Sequence, residues 1–303
     1  MASLGDQSVR LPAVAGRFYP EDGGQCRSAV AAMMRIGDAG AMPGAMTGAL
    51  SRPCGAVVPH AGWVCSGAIA GEAIATLAKL APADVVVVFG AVHTPIPLDR
   101  AALDSHASWR VPSGDSMQPE SLVRKLSQNS ETFSIDERLH THEHAVEVEV
   151  PFIQAAWPNA AVLPIEVPLI DNAQRIGRET AEVVMSENKR AVFLASSDLT
   201  HYGPTYRFTP AGVGEAALNW AMENDRRLLG LIANLAIDRI VPEVKSRYNA
   251  CGGGAIAAML EACKAAGATQ AKVLRHANSY QTLRGLVPPD ASNAVGYAGV
   301  IVG

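Results

Sequence analysis

The sequence predicts an α/β protein with a mixed, mostly parallel central sheet covered by helices on both faces. Several short runs are apolar along their whole length, as strands are when both faces of a sheet are buried. Helical patterns lie between these runs, and strands that alternate with helices favour parallel pairing. The chain has 303 residues, 49% of them hydrophobic, and shows neither an internal repeat nor a long linker. We therefore expect a single domain over residues 1–303.

Each predicted element follows from its own residues. The predicted strands are GAVVP (55–59), DVVVVFG (84–90), AVLPIEV (161–167), AVFLASS (191–197) and GYAGVIV (296–302). Amphipathic or Ala-rich patterns predict helices at 66–81, 172–188, 211–235 and 253–267. The Gly/Pro/Ala-rich stretch 37–53 predicts a loop, and a strand pattern follows it at once, so it does not mark a domain boundary.

The segment HAVEVEVPF (144–152) fits two structures. Val146, Val148 and Val150 alternate with glutamates, which indicates a strand. Val146 and Val150 also continue into a helical stripe with Ile153 and Trp157. A proline is tolerated in the first turn of a helix, so Pro151 does not exclude one. The residues by themselves leave the choice open.

Composition excludes several classes of function. The net charge is near −4, charged residues make up 18%, and no Lys/Arg run is present, so we expect neither a nucleic-acid nor a membrane partner. The first residues lack the pattern of a signal peptide, and the densest apolar run is too short to span a bilayer, which predicts a soluble cytoplasmic protein. Five cysteines without a CxxC motif argue against a disulfide framework or a structural zinc cluster. All but one of them are interpreted as packing residues: Cys26, Cys54, Cys65 and Cys263.

Histidines and an aspartate follow the ends of three predicted strands. The first strand leads to His60, the second to His93, and the fourth to Asp198 and His201. Ligands and catalytic groups gather at the carboxyl edge of parallel sheets. One such histidine alone would be interpreted as a hydrogen-bonded structural residue. Three histidines at the ends of three strands instead favour a metal-binding or catalytic site. The histidines without such a context are interpreted as surface or loop residues: His106, His140, His142 and His276.

Cys251 adds a sulfur to this set. The motif ACGGGAIAAML places it at the start of a predicted helix, followed by three glycines. The positive end of a helix favours a thiolate, which is the form that binds a metal or attacks a substrate. A buried cysteine in a tight loop is the equally weighted alternative. His144 and Glu147 would share one face if their segment is helical, although a solvated polar face is the simpler interpretation.

These motifs resemble the Memo family, in the family's order from about residue 10 to the C-terminus. They are LPAVAGRFYP, VVPHAGWVCSGAIAG, FGAVHT, EHAVEVEVPFIQ, SSDLTHYG, CGGGAI and AVGYAGV. The resemblance implies the fold of class III extradiol dioxygenases, which cleave catecholic rings with non-haem iron(II) and O₂. It also implies that residues 144–157 are helical.

The resemblance assigns roles to individual residues. It places metal ligands at His60, His93 and Cys251, and pocket or catalytic residues at the three positions His144, Asp198 and His201. The family often has two adjacent histidines after the second strand, whereas here His93 is followed by Thr94. Two imidazoles and one anionic ligand leave coordination positions open, and a thiolate favours iron or copper(I) over magnesium or calcium.

Two interpretations from different classes follow, and the sequence leaves open whether the chain is an enzyme. The first is a metal-dependent redox enzyme acting with O₂ on a phenolic or related small molecule. Iron(II) is the preferred metal, copper the second and zinc the third, with His201 as general base oriented by Asp198. The second is a non-enzymatic binding or scaffold protein that holds a peptide or other ligand in the same pocket. A zinc hydrolase with a His₂Cys site is a third hypothesis.

Overall fold

The computed structural model describes residues 9–39, 50, 52–288 and 290–303. Its strands are β1 (Val9–Arg10), β2 (Gly55–Val58), β3 (Val85–Ala91), β4 (Ala101–Leu103), β5 (Ser108–Val111), β6 (Gly114–Met117), β7 (Phe133–Ile135), β8 (Ala161–Val167), β9 (Ala191–Ser196), β10 (His201–Tyr202), β11 (Ala271–Asn278) and β12 (Ala294–Val302). Its helices are α1 (Gly23–Ala39), α2 (Trp63–Leu80), α3 (Glu120–Ser127), α4 (Arg138–Thr141), α5 (Val150–Ala156), α6 (Ala173–Ser186), α7 (Glu215–Ala233), α8 (Ile237–Arg247), α9 (Gly253–Ala265) and α10 (Ser279–Thr282). Short 3₁₀ helices cover Glu147–Glu149 and Pro204–Tyr206.

A large mixed sheet organises the described part of the chain. Its strand order is β10-β12-β2-β9-β3-β8-β4-β7, with β11 also paired to β12. The four central strands β2, β9, β3 and β8 are parallel. A separate small sheet has the order β1-β5-β6. The predicted α/β class with a mixed sheet is thus confirmed.

The parallel part of the sheet is smaller than predicted. The last strand, β12, pairs antiparallel with β2, β10 and β11, and β4 pairs antiparallel with β8. The prediction of a mostly parallel sheet therefore holds for the four central strands and for β4 with β7, while the other flanking pairs are antiparallel. An apolar run indicates that a strand is buried on both faces, and β12 is buried in this way. Burial does not determine whether the strand pairs parallel or antiparallel, so the sequence pattern could not show the direction of β12.

Alternate side chains of the central strands belong to two cores. Val57, Val87 and Phe193 point toward one core, formed with α6, α8 and α9. Ala56 and Leu194 point toward the other, formed with α1, α2 and α5. This alternation is the two-residue period of a strand, and because both faces are buried the runs do not alternate between apolar and polar residues.

The segment with two interpretations is helical only in its second half. His144 and Ala145 are not helical, a 3₁₀ turn covers Glu147–Glu149, and α5 begins at Val150. Pro151 lies in the first turn of α5, where a missing N–H costs no hydrogen bond. The helix expected over 144–157 is therefore correct from residue 147 to residue 156 only.

Two predictions extend beyond the described residues. Most of the loop predicted at 37–53 lies outside the described part, and residues 37–39 belong to α1 instead. The single domain over 1–303 also covers residues outside it and stays a prediction.

Within the described ranges, one helix is long and apolar enough to cross a membrane. This is α2, and 56% of it is buried inside the protein. It packs against α1, β2 and β12, as the core helix of a globular domain does. One such helix is weak evidence for a membrane span, whereas this packing fits a soluble domain; the cytoplasmic location stays a prediction.

The crossing of α6 and α9 depends on Gly177. A Cβ at this position would overlap the carbonyl oxygen of Ala258 on α9. We expect Gly177→Ala to destabilise the protein by about 3 kcal/mol, because two packed helices must separate. Gly230→Ala is the matched control: Gly230 lies inside α7 with no heavy atom near an added Cβ, so it should stabilise by about 0.5–1 kcal/mol. Urea unfolding measures the free energy of unfolding of both variants. Equal changes in this free energy for Gly177→Ala and Gly230→Ala would contradict the close crossing of α6 and α9.

Candidate functional site

The site lies where three parallel strands end at the same edge of the sheet. β9 lies between β2 and β3, and Ser196 at its end pairs with Val58 and Gly90 of its neighbours. His60 follows the end of β2 by two residues, and His93 follows the end of β3 by two residues. The in-register pairing therefore brings these histidines to one place.

Three imidazoles form the centre of the site. One ring nitrogen each of His60, His93 and His144 lies within 4.8 Å of the others. The ring centroids are 5.0 Å apart for His60 and His93, 5.3 Å for His60 and His144, and 4.6 Å for His93 and His144. His144 comes from the segment before the 3₁₀ turn, and the ring of Phe18 packs against its edge at 4.9 Å. This group can offer a metal ion three nitrogen ligands.

The ring of His60 is held in one tautomer. Its Nδ1 lies 2.9 Å from the hydroxyl of Ser196, and that hydroxyl donates to the carbonyl of Ala145 at 2.6 Å. The hydroxyl proton is thus in use, so His60 Nδ1 donates to the Ser196 oxygen, and its Nε2 keeps a free lone pair. Burial, and then the neighbouring His93 and His144, hold the pKa of His60 well below its ordinary value. His60 is therefore a neutral imidazole with Nε2 available to a ligand.

A buried carboxylate fixes the other two histidines. Glu143 accepts hydrogen bonds from His93 at both Nδ1 (2.9 Å) and the backbone N (2.5 Å). It also accepts the backbone N–H groups of Thr94, His144 and Ala145, and it lies 3.2 Å from His144 Nδ1. Although burial raises the pKa of Glu143, the hydrogen bonds from His144 and His93 outweigh it and lower the pKa below its ordinary range. Glu143 is therefore ionised.

His93 has the opposite charge preference to His60. Burial lowers its pKa, but hydrogen bonds to Cys251 and Glu143 raise it more, to about 11. A positive charge is thus stabilised at this ring, between a carboxylate and a sulfur. This arrangement suits a cation bound in the place of the proton.

Cys251 reaches the cluster because its loop pairs with the chain that leaves β9. Leu199 and Ala250 form an isolated antiparallel bridge, and the N–H of Cys251 donates to the carbonyl of Asp198 at 3.3 Å. The sulfur of Cys251 accepts the backbone N–H of Asp198 at 3.2 Å and lies 3.3 Å from His60 Nε2. The chain that leaves β9 therefore supplies a backbone N–H donor to this sulfur, in addition to the ring of His93.

The glycines after Cys251 allow close contact between backbones. Gly252 donates its N–H to the hydroxyl of Ser197 at 2.9 Å, and a Cβ at Gly252 would lie 2.7 Å from the Cβ of Ser197. A Cβ at Gly254 would overlap the carbonyl oxygen of Pro168 at the exit of β8. The glycines let α9 begin directly against two strand exits, which is how Cys251 is positioned.

Asp198 and His201 lie beside the cluster. Asp198 accepts the backbone N–H of His60 at 2.9 Å, and burial raises its pKa to about 7. Its other oxygen is 3.9 Å from His201 Nε2, beyond hydrogen-bond distance, so Asp198 anchors the strand exit and does not bond to His201. Burial, and then His93 and His144, lower the pKa of His201 to about 4, so this ring is neutral at pH 7.

A cavity of about 640 Å³ opens beside His201. Its lining contains three further aromatic rings, those of Tyr206, Phe208 and Tyr248, and two cationic side chains, those of Arg207 and Lys245. Such a volume is in the usual range for small-molecule sites. The cavity gives a ligand access to the face of the site that carries His201.

Some expectations for other residues are wrong. His140 is fully buried, and His276 lies on β11 with its Nε2 3.0 Å from Asp225, so neither is a surface residue. The expectation holds for the other two: His106 lies in the loop between β4 and β5, bonded to Asp104 at 2.7 Å, and His142 is exposed. The interpretation of the other four cysteines as packing residues is confirmed. Cys26, Cys54 and Cys263 are buried in the cores, and Cys65 packs against a small hydrophobic cluster.

Glu147 does not share a face with His144, nor is it solvated. It is fully buried and forms an ion pair with Arg10, and it accepts hydrogen bonds from Tyr19 and Val14 at 2.7 and 3.0 Å. Through these contacts Glu147 holds the N-terminal segment against the 3₁₀ turn Glu147–Glu149.

Sequence reasoning missed Glu143 and Ser196, which orient the histidines. The signal for Glu143 was its place between two histidines in THEHAVE. The helical spacing drew attention to Glu147 instead, because i and i+3 residues share a helix face. Ser196 gave no signal beyond its position at the end of a strand.

Glu166 on β8 is a further buried acid near the site. Neither of its carboxyl oxygens has a hydrogen-bond partner within the described residues, and His140 Nδ1 is 3.7 Å away. Burial, followed by the charge of Glu143, raises the pKa of Glu166 well above its ordinary value. The native state therefore keeps a proton on Glu166 that the unfolded state loses.

This proton makes stability depend on pH. Above the ordinary glutamate pKa, about 4.3, the native state binds more protons than the unfolded state, so stability falls as pH rises toward the native pKa. Glu166→Gln cannot titrate, so its Tm relative to wild type should be higher at about pH 8 than at about pH 5. Glu182→Gln, at an exposed position of α6, is the control and should show no such trend. The same Tm difference for Glu166→Gln at both pH values would contradict a protonated Glu166.

Comparison with known proteins identifies the family to which this chain is similar. The family profile described as "Memo-like protein" matches residues 10–301. A MEMO1 family protein of Methanosarcina barkeri is 33% identical over 97% of this chain and 100% of its own length. A MEMO1 family protein of Methanocaldococcus jannaschii is 33% identical, over 97% of this chain and 99% of its own.

A solved structure is also similar. The crystal structure of the uncharacterized protein JW3007 from Escherichia coli K12 has a TM-score of 0.53 and 12% sequence identity. The match covers 83% of this chain and 100% of that one, and at this identity it shows a likeness of fold alone. The near-complete profile match and the full-length relatives together show that this chain belongs to the Memo family.

Proposed function

We propose that this chain is a metal-dependent redox enzyme that acts with O₂ on a phenolic or related small molecule. The observation that carries the proposal is the cluster of His60, His93 and His144, whose ring nitrogens lie within 4.8 Å of one another, with the sulfur of Cys251 3.3 Å from His60 Nε2. Their orienting groups, Ser196 and Glu143, are fully or almost fully buried. We further propose that the fold is that of class III extradiol dioxygenases.

The donor set fits iron(II) or copper. His60 keeps a free Nε2 lone pair next to the sulfur of Cys251, and His93 is stabilised as a cation between that sulfur and Glu143. A carboxylate that accepts the Nδ1 proton of a ligand histidine is a common feature of metal sites, and Glu143 has this place. A soft thiolate with imidazoles selects iron or copper over magnesium and calcium. His144 offers a third imidazole in place of Cys251 or in addition to it.

The chain's own residues would handle the substrate's proton. Bound iron(II) would supply the redox chemistry toward O₂ that the side chains lack. His201 is neutral at pH 7 and lines the cavity, so it can accept the proton of a phenolic hydroxyl. Asp198, 3.9 Å from His201 Nε2, would stabilise the resulting imidazolium when it is ionised.

The alternative is a binding protein without catalysis. The cavity beside His201 is bordered by Tyr206 and Tyr248, which are 43% and 66% exposed. Exposed aromatic rings are common at protein interaction sites, which favours a peptide ligand. The experiments below separate the two functions, because only the enzyme needs a metal and consumes O₂.

The first experiment is anaerobic purification, metal analysis and O₂ consumption with a panel of catechols and related phenols. We expect iron or copper at the site, and Cys251→Ser should bind much less of either because an alkoxide forms far less readily than a thiolate. Cys251→Asp should retain iron and disfavour copper(I), since it restores a two-histidine, one-carboxylate set. Cys65→Ser, outside the cluster, is the control. Equal metal loading in all variants would exclude the thiol as a ligand and favour the binding protein.

The second experiment tests Glu143. Glu143→Gln keeps the shape of the side chain but loses the charge that orients His93, so affinity for iron(II) should fall by about 10–100-fold. Glu137→Gln is the control, because Glu137 is exposed and bonds to Ser105 at 2.9 Å, away from the site. Anaerobic titration with cobalt(II) as an optical probe measures the affinity. An unchanged affinity in Glu143→Gln would remove His93 from the ligand set.

A further inference from the structure

Two residues of the cavity beside His201 have an unusual backbone conformation. Among the described residues, the non-glycine positions with positive φ are Asn188, Arg207, Leu235 and Tyr248. Arg207 (φ 54°) and Tyr248 (φ 53°) both line this cavity. Each residue directly follows a helical turn, Pro204–Tyr206 for Arg207 and α8 for Tyr248, where a left-handed residue commonly ends the helix. Both side chains thus leave these turns beside the cavity.

Local hydrogen bonds fix Arg207 in this conformation. Gly203 and Phe208 form an antiparallel bridge, and the N–H of Gly203 donates to the carbonyl of Phe208 at 2.8 Å. Arg207 itself closes the 3₁₀ turn by donating its N–H to Pro204 at 3.1 Å. The tight loop between His201 and Phe208 thus holds a guanidinium at the cavity.

The charge of Arg207 is available to a ligand. The side chain is exposed, and no carboxylate of the described residues forms an ion pair with it. The other cation of the cavity, Lys245, is paired with Asp171 at 2.6 Å. A guanidinium binds a planar carboxylate through two parallel hydrogen bonds. One unpaired guanidinium therefore suits a ligand with one carboxylate.

The walls of the cavity suit an aromatic ring. The rings of His201 and Tyr206 lie 5.0 Å apart at 33°. Those of Phe208 and Tyr248 lie 5.7 Å apart at 58°. Flat apolar surfaces of this kind bind a ring by offset or edge contacts.

We propose that the cavity binds a phenolic carboxylate: Arg207 pairs with the carboxylate, the aromatic walls hold the ring, and the hydroxyl lies toward His201. This inference rests on the proposed function of the site and names the substrate class. The carboxylate sets the direction in which the ring enters, because the cation and the base belong to the same short loop. An uncharged phenol would lack this orientation.

Binding to metal-free protein tests the proposal apart from the proposed catalysis. Isothermal titration compares 3,4-dihydroxyphenylacetate, its methyl ester and catechol, under nitrogen, with wild type and variants. We expect the acid to bind about tenfold more tightly than the ester, which has the same ring without the charge. Arg207→Gln should remove this preference and Arg207→Lys should retain part of it. Arg239→Gln, at an exposed position of α8 outside the cavity, should not change it.

Two outcomes would overturn the substrate class: equal affinities for acid and ester in wild type, or no measurable binding of the acid. An undiminished preference in Arg207→Gln would overturn the assignment to Arg207, and its loss in Lys245→Gln would transfer the role to Lys245. None of these results depends on a metal or on O₂. A protein that binds the acid through Arg207 but consumes no O₂ with iron would instead contradict the proposed redox function alone.

Discussion

Parallel, in-register pairing of β2, β9 and β3 is the constraint on which the site depends. Ser196 at the end of β9 pairs with Val58 on one side and Gly90 on the other, so the three exits start at the same level. The strands are buried on both faces, and a slip by one residue would turn every side chain to the wrong core. The register is therefore specified by two hydrophobic cores, and it brings His60, His93 and Asp198 to the same edge of the sheet.

A second level of organisation is electrostatic. Glu143 collects the N–H groups of His93, Thr94, His144 and Ala145, which makes a buried carboxylate stable as an anion. Its charge then stabilises the cationic form of His93, while His60, held by the neutral Ser196, stays uncharged. Neighbouring imidazoles thus differ in charge because burial dominates at His60, whereas hydrogen bonds to Cys251 and Glu143 outweigh burial at His93. In the proposed metal site, the ion would be bound by the neutral His60, by His93 after this ring has released a proton to solvent, and by the sulfur of Cys251.

The two halves of the site have different roles in this arrangement. The cluster of His60, His93, His144 and Cys251 lies at the exits of β2 and β3, in the segment before the 3₁₀ turn Glu147–Glu149 and just before α9, next to the two buried cores. The cavity beside His201 is instead formed by the loop of Tyr206 and Arg207 together with the end of α8, near Tyr248. A rigid centre with a loop-built entrance is a common division between chemistry and specificity.

The sequence by itself determined the secondary structure around the site and several of its residues. Runs such as VVVV before His93 are long enough, and apolar enough, to predict a buried strand and a polar exit. It gave no signal for Ser196, it drew attention to Glu147 rather than Glu143, and it did not show that β12 is antiparallel. The reason is physical: burial and local propensity are recorded in the pattern of neighbours along the chain. Hydrogen-bond partners, such as Glu143 and His93, fifty residues apart, exist only once tertiary packing has brought the strand exits and the segment before α5 together.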